Sequence, residues 1–352
     1  MDLRKKLENA KTYFKYYFSY LLNYPLIYPK EINFQMTNRC TLQCKMCNIW
    51  KLTKKGKEIS VNEMKRILNE VKSWKNTKYV SFVGGESLLR LNDTLELIKY
   101  ANSLGFYTNI VSNATLLNKK VCKKLLEAGL KRIALSLDGA KKETHDFIRG
   151  KGNFNQVIKA AKILKKFKNR YELKIDFSTV VMSYNFRELV DIYWLGKKIG
   201  IDQWFLQSLV LDNTFKKFDY NSPLWVKKED LEELKKIIDE LVVLKRKDTN
   251  FIYNSVYYLK AIPKYFEMKE KFNLGKCMAG YFNLNIDPYG NISICNYGPN
   301  INVIGKNLSK IWKSEEFKRT RYLIKNCKMP CMMLCYQRFS ITELLKIFFH
   351  GV

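Results

Sequence analysis

From about residue 31 to residue 210, short runs rich in β-branched and aromatic side chains alternate with amphipathic helical patterns. The runs 32–36, 79–83, 106–112, 132–137, 173–181 and 204–209 predict six strands. Helical periodicity near 61–74, 92–104, 118–128, 153–169 and 186–199 predicts the segments between them. Asn92–Asp93 and Asn118 are expected to cap helix starts, and Gly105, Gly129 and Gly200 stand where helices should stop. Such repetition implies a parallel sheet covered by helices. Six units leave a partial barrel and a doubly wound sheet both open. Either architecture puts functional groups at the carboxyl ends of strands.

The rhythm changes after about 211. A charged helical stretch near 227–246 leads into an aromatic segment, 251–272. Residues 277–295 then read as a β-hairpin, with 281–286 and 291–294 as its arms and Asp287-Pro-Tyr-Gly290 as its turn. A further helix is expected near 308–325. The organisation expected is an amphipathic extension at 1–30, a catalytic core at 31–210, a helical bridge at 211–276, a cysteine-rich module at 277–340 and a tail at 341–352.

Nine cysteines occupy this chain, and the amino terminus carries no pattern of a cleavable export signal. A cytoplasmic protein is the expectation, in which clustered thiols bind metal or do chemistry more often than they pair. Three cluster in Cys40-Thr-Leu-Gln-Cys44-Lys-Met-Cys47, on a loop leaving the first strand. A structural zinc site wants a fourth ligand, and the chain has only two histidines, His145 and His350. Three thiolates instead suit a [4Fe–4S] cluster with one iron open, although a zinc knuckle stays the alternative. Gly84-Gly85-Glu86 closes the second strand, where glycines allow close backbone approach and a carboxylate can accept from an ammonium group.

The Cys40–Cys47 loop and Gly84–Glu86, set in a strand–helix repeat, resemble the radical S-adenosylmethionine (SAM) superfamily. The likeness extends through Ser112-Asn113, Ser136-Leu-Asp138-Gly139 and His145-Asp-Phe-Ile-Arg149-Gly150, and covers residues 31–210. The resemblance implies an α/β fold, a partial (β/α)6 TIM-like barrel, with a [4Fe–4S] cluster on Cys40, Cys44 and Cys47. It further implies that Gly84, Gly85 and Glu86 hold the methionyl amine of SAM, with Asn113, Ser136 and Arg149 near its ribose or carboxylate. One departure is Met46, where an aromatic residue often precedes the third cysteine; Met46 can still pack against an adenine. The implied chemistry is reductive cleavage of SAM to a 5′-deoxyadenosyl radical that abstracts hydrogen from a substrate. A low-potential donor of the ferredoxin or flavodoxin type would supply the electron.

Cys277 and Cys295 flank the expected hairpin, and Cys327-Lys-Met-Pro-Cys331-Met-Met-Leu-Cys335 follows. This is similar to the SPASM/twitch extensions of that superfamily. Five cysteines imply one auxiliary [4Fe–4S] cluster with one cysteine spare, and a zinc ribbon is the alternative. The resemblance places a carboxylate base just after the second hairpin cysteine in peptide-oxidising members. Asn296 stands there, so dehydrogenation by that base is disfavoured. The substrate, whether peptide, lipid or sugar-like, is not readable.

Cys122 is expected in the core and His145 in a structural hydrogen bond. The balance of 63 basic against 33 acidic side chains gives +30. No nucleic-acid-binding motif accompanies it, and RNA modification stays a secondary reading. Two more readings stand beside the enzyme: a non-catalytic iron–sulfur or zinc protein, and a degenerate partner-binding relative. The aromatic, basic segment 13–29 has two readings, packing on the barrel or lying at an anionic membrane surface. Packing is the expectation.

Overall fold

The computed structural model describes residues 3–54, 56–210, 219–269, 272, 274–292, 294–295, 298, 301–333 and 338–339. Six parallel strands form in chain order, β1 (Glu31–Gln35), β2 (Tyr79–Val83), β3 (Tyr107–Ser112), β4 (Arg132–Ser136), β5 (Lys174–Val181) and β6 (Gln203–Ser208). α1 (Leu3–Leu22) precedes them. The crossovers hold α2 (Val61–Lys72), α3 (Leu91–Ser103), α4 (Lys119–Glu127), α5 (Lys142–Arg149), α6 (Asn153–Tyr171) and α7 (Leu189–Ile199). After β6 come α8 (Leu231–Lys247), α9 (Val256–Met268), β7 (Lys276–Cys277), β8 (Asn283–Ile286), α10 (Leu308–Trp312), α11 (Glu315–Lys325) and β9 (Arg338–Phe339). The result is the expected α/β half-barrel.

Period-2 alternation in the strands sorts the two sheet faces. Ile32, Phe34, Val80, Phe82, Ile133, Leu135, Phe177, Trp204 and Leu206 are buried in one continuous core. Their alternates are polar and bond to one another: Asn33 to Asn285 at 2.7 Å, and Asn109 to Ser81 at 3.0 Å. Amphipathic helices supply the cover, and α8 shows how. Leu234, Ile238, Leu241 and Val242 are buried at helical spacing while its charged residues stay outside.

Three expectations are corrected. The sheet has seven strands, ordered β6-β5-β4-β3-β2-β1-β8. β8 is the first arm of the expected hairpin, and it pairs parallel with β1, Glu31 opposite Asn283. The turn does form, Gly290 donating to Asp287 O at 3.1 Å, but the arms share a single described bridge, Ile286 to Ile292. β1 takes one edge of β8, and among the described residues the second arm meets its other edge only at the turn. Second, α3 begins at Leu91 because a 3₁₀ turn, Ser87–Arg90, runs straight into it, so Asn92 and Asp93 sit inside the helix. Third, the helix near 308–325 is two, divided where Ser314 caps α11 by accepting from Phe317 N. α5 is additional to the five expected crossover helices.

Asn118 caps α4 as expected, accepting from Val121 N at 2.9 Å. Gly105, Gly129 and Gly200 follow helix ends with φ of +88°, +87° and +84°. Tyr16 and Tyr20 of α1 are buried against Met278, Tyr281 and Phe282. Among the described residues, no helix is long and apolar enough to cross a membrane.

Candidate active site

The carboxyl ends of β1, β2, β3 and β4 bring the cysteine loop, Gly84–Glu86, Asn113 and Ser136 to one edge of the sheet. The loop leaving β1 is tied to the end of β2 by main-chain bonds: Gly85 N to Thr37 O at 2.8 Å and Glu86 N to Arg39 O at 2.9 Å. The glycines permit this closeness. A Cβ on Gly85 would lie 2.2 Å from Arg39 O, and one on Gly84, at φ +136°, would lie 2.4 Å from Thr37 O. The backbone these glycines admit is thus the chain's own, immediately before Cys40.

Glu86 is fully buried. Its carboxylate accepts from Asn113 N at 2.8 Å, Leu88 N at 3.1 Å and the Ser112 hydroxyl, shared between both oxygens at 3.1 Å. Burial pushes its pKa above the ordinary range against the pull of these donors. Asn113 then faces the cysteines: its Nδ2 donates to Cys40 Sγ at 3.4 Å and Thr41 Oγ1 at 3.0 Å. Asn153 Nδ2 donates to Asn113 O at 2.8 Å.

From Asn153 the network reaches Cys44. Its Oδ1 faces His145 Nε2 at 2.9 Å, while His145 Nδ1 accepts from Asp138 N at 3.0 Å, so Nε2 carries the proton. His145 is fully buried; burial and then Arg149 depress its pKa, and its role is the structural one expected. Asp138 Oδ2 accepts from Arg149 Nε at 2.6 Å, and Arg149 Nη1 lies 3.9 Å from Cys44 Sγ. Burial works against the Arg149 charge, yet Asp138 and the nearby thiols raise its pKa. Burial lifts the Cys44 thiol to about 11 despite Arg149, and lifts Cys40 as well. Lys45 N bonds Ile148 O at 3.0 Å and so laces the cysteine loop to α5. The Ser136 side chain joins none of these bonds, although it ends the adjacent strand.

Thr37, Arg39, Asp138 and Asn153 were not singled out from sequence as site residues. Asp138 lies within a quoted motif, Ser136-Leu-Asp138-Gly139, and that adjacency was the available signal. Thr37 and Arg39 act through their backbone carbonyls, and Asn153 through a side-chain amide, none with a sequence signature.

The residues fit an iron–sulfur cluster by donor chemistry. Cys40, Cys44 and Cys47 stand on one loop outside any disulfide, with an amide and a guanidinium directed at two of the sulfurs. Among the described residues no three Cys, His, Asp or Glu side chains close tightly enough for a single metal ion. A cluster puts its thiolates on separate irons and so spaces them wider than one zinc ion does. Cys122 is fully buried on α4, in the core as expected.

The second cysteine group reaches the same edge. Met332 O accepts from Gln207 Nε2 at 2.9 Å and Tyr258 OH at 2.7 Å, which docks the residue after Cys331 at the carboxyl end of β6. Cys277 lies in β7, antiparallel to β9, with Cys277 opposite Arg338. Cys335 and Asn296 lie outside the described residues.

Residues 34–193 match the Radical SAM superfamily. A PqqA peptide cyclase of Bradyrhizobium diazoefficiens is 25% identical over 84% of this chain and 76% of its own length. An AdoMet-dependent heme synthase of Methanosarcina barkeri is 30% identical over 48% of this chain and 47% of its own. SuiB of Streptococcus suis bound to S-adenosylmethionine superposes with a TM-score of 0.66 at 19% identity, covering 89% of this chain and 77% of that one. SuiB bound to precursor peptide SuiA gives 0.63. Residues 34–193, the greater part of the half-barrel with the cysteine loop braced against Glu86, are thus a radical SAM domain, of a superfamily of enzymes that use a [4Fe–4S] cluster and SAM.

Proposed function

We propose that the chain modifies a peptide by radical chemistry, with Cys40, Cys44 and Cys47 holding the SAM cluster. Gly84, Gly85, Glu86, Asn113, Ser136 and Arg149 are the proposed SAM contacts. The observation that carries the site is the continuous bonding from Glu86 through Asn113 to Cys40, and from Asp138 through Arg149 to Cys44. When bound, cluster and SAM supply the hydrogen-abstracting chemistry, with the electron coming from a ferredoxin- or flavodoxin-type donor. The chain's own residues orient the thiolates and exclude water from Glu86. Glu86 already receives three donors, which leaves one of its roughly four acceptor sites for an ammonium once the shared Ser112 hydroxyl settles on one oxygen.

A peptide substrate is favoured by the relatives that match most of the chain. The cyclase is named for a peptide and SuiB was solved with one, whereas the heme synthase matches about half of each chain. Four of Cys277, Cys295, Cys327, Cys331 and Cys335 are proposed to hold one auxiliary [4Fe–4S] cluster. The docking of Met332 on Gln207 and Tyr258 supports this by setting that group at the reaction edge of the sheet.

The test is anaerobic reconstitution followed by SAM and dithionite, with and without short peptides encoded beside the chain. The expected result is 5′-deoxyadenosine whose yield rises with a peptide, and a mass change in that peptide. Release of 5′-deoxyadenosine with every such peptide unchanged overturns the substrate and leaves the enzyme class standing.

A further inference from the structure

α1 buries one face and leaves another bare. Tyr16 and Tyr20 pack inward, Tyr16 stacking on Phe282 with ring centres 4.2 Å apart. On the opposite side of the same helix Phe14, Phe18, Leu21 and Leu22 are exposed, Phe18 at 50% and Leu22 at 61%. Helical periodicity puts these four on one strip, and exposed Leu26 follows beyond the helix end. An uncovered apolar strip of this kind marks a contact surface.

Beside the strip lies a cavity of about 790 Å³ between α1 and the amino-terminal end of the sheet. Its lining includes Lys11, Lys15, Lys30, Lys75 and Lys78, with Asn76 among them and Glu8 as the carboxylate. None of the five lysines forms an ion pair with a described carboxylate. Parallel register brings two of them together: Lys30 and Lys78 immediately precede β1 and β2, which pair Glu31 with Tyr79. Lys11 and Lys15 of α1 line the cavity, and helical spacing sets Lys11 in line with Phe18 and Leu22 and Lys15 beside them. Like charges gathered in a concave site with apolar walls raise the local potential and favour an anion there.

We infer that α1 and this cavity seat the protein on an anionic lipid surface. The strip of Phe14, Phe18, Leu21 and Leu22 enters the acyl boundary, and the lysine cavity takes a phosphate-bearing headgroup. These are the two components of interfacial binding, apolar burial and attraction to anionic lipid. A second copy of this chain is a poor occupant, because each carries +30 and repels the other. The contact faces the amino-terminal ends of the strands, so the edge bearing Cys40 and Gly84 points away from the lipid.

Co-sedimentation of the full chain with vesicles tests this directly. Phosphatidylcholine vesicles are compared with vesicles containing phosphatidylglycerol, at low and high salt. Binding should require the anionic lipid and fall steeply with salt. Lys15→Gln and Lys75→Gln should each weaken it about fivefold, and Phe18→Ser with Leu22→Ser should weaken it at either salt. Release of 5′-deoxyadenosine should stay at the wild-type level in every variant, which also reports that they fold. Equal binding of the wild type to neutral and anionic vesicles, or no vesicle binding, overturns the inference without recourse to variants. So does binding of glycerol phosphate in the absence of vesicle binding, since the cavity is then a soluble-anion site.

Discussion

Arg149 donates to Asp138 at 2.6 Å and carries its guanidinium to within 3.9 Å of the Cys44 sulfur. Asp138 also accepts from Val180 N at 2.7 Å, so one carboxylate joins the end of β4 to β5 while aiming a cation at the cysteine loop. Replacing it with alanine leaves Arg149 buried without its carboxylate. Asp138→Ala should lose about 3 kcal/mol of stability, read by urea unfolding under anaerobic conditions. A loss below a few tenths would show that Arg149 finds another partner.

Gly85 tolerates no side chain where it stands, 2.2 Å from Arg39 O at its missing Cβ. Gly85→Ala should break the bonds from Gly85 N and Glu86 N to the cysteine loop. A cost of about 3 kcal/mol is expected, and reconstituted chain should retain less iron. Wild-type thermal stability together with a wild-type iron content would exclude the steric account.

Iron counts separate the two cysteine groups. The wild type should hold about eight irons per chain, and Cys44→Ala about four with no release of 5′-deoxyadenosine. Replacing Cys277 and Cys295 together by alanine leaves only three of the five, so that double variant should also hold about four irons, yet still cleave SAM. About four irons in the wild type would remove the auxiliary cluster.

Asp176 offers a pH signature away from the cysteines. It is fully buried, 3.3 Å from Arg132 Nε, and burial lifts its carboxyl to about 7 despite that neighbour. A raised acid pKa means the folded chain binds the extra proton, so this contribution to stability is lost as pH rises through 7. The slope is about −1.4 kcal/mol per pH unit between about pH 4 and pH 7, and it flattens above that. Urea unfolding across that window should show it, and Asp176→Asn should flatten it. An unchanged slope in the variant would assign the effect elsewhere.

The strands were legible because each is a local pattern of buried alternates, and the six expected spans meet the observed ones within about two residues. Cys40 and Glu86 were singled out from the cysteine spacing and the Gly-Gly-Glu strand end, Asn113 only through the family resemblance. β8 as a sheet member was not, because its partner β1 lies far away in sequence and a four-residue alternation reads equally well as a hairpin arm. The task of Gly84 and Gly85 was also hidden, since what they make room for is the carbonyls of Thr37 and Arg39. Asn92 looked like a cap because a 3₁₀ turn that merges into a helix leaves no break in composition.

The seating of β8 beside β1 has a consequence for the order of events during synthesis. The strand that leads into Cys40 is flanked on one side by residues made far later, Asn283–Ile286. On the ribosome, the first six strands emerge with β1 as an unpaired border, open to mispairing with other chains. That border is sealed only when β8 arrives, so the loop bearing Cys40, Cys44 and Cys47 hangs from the last edge of the barrel to close.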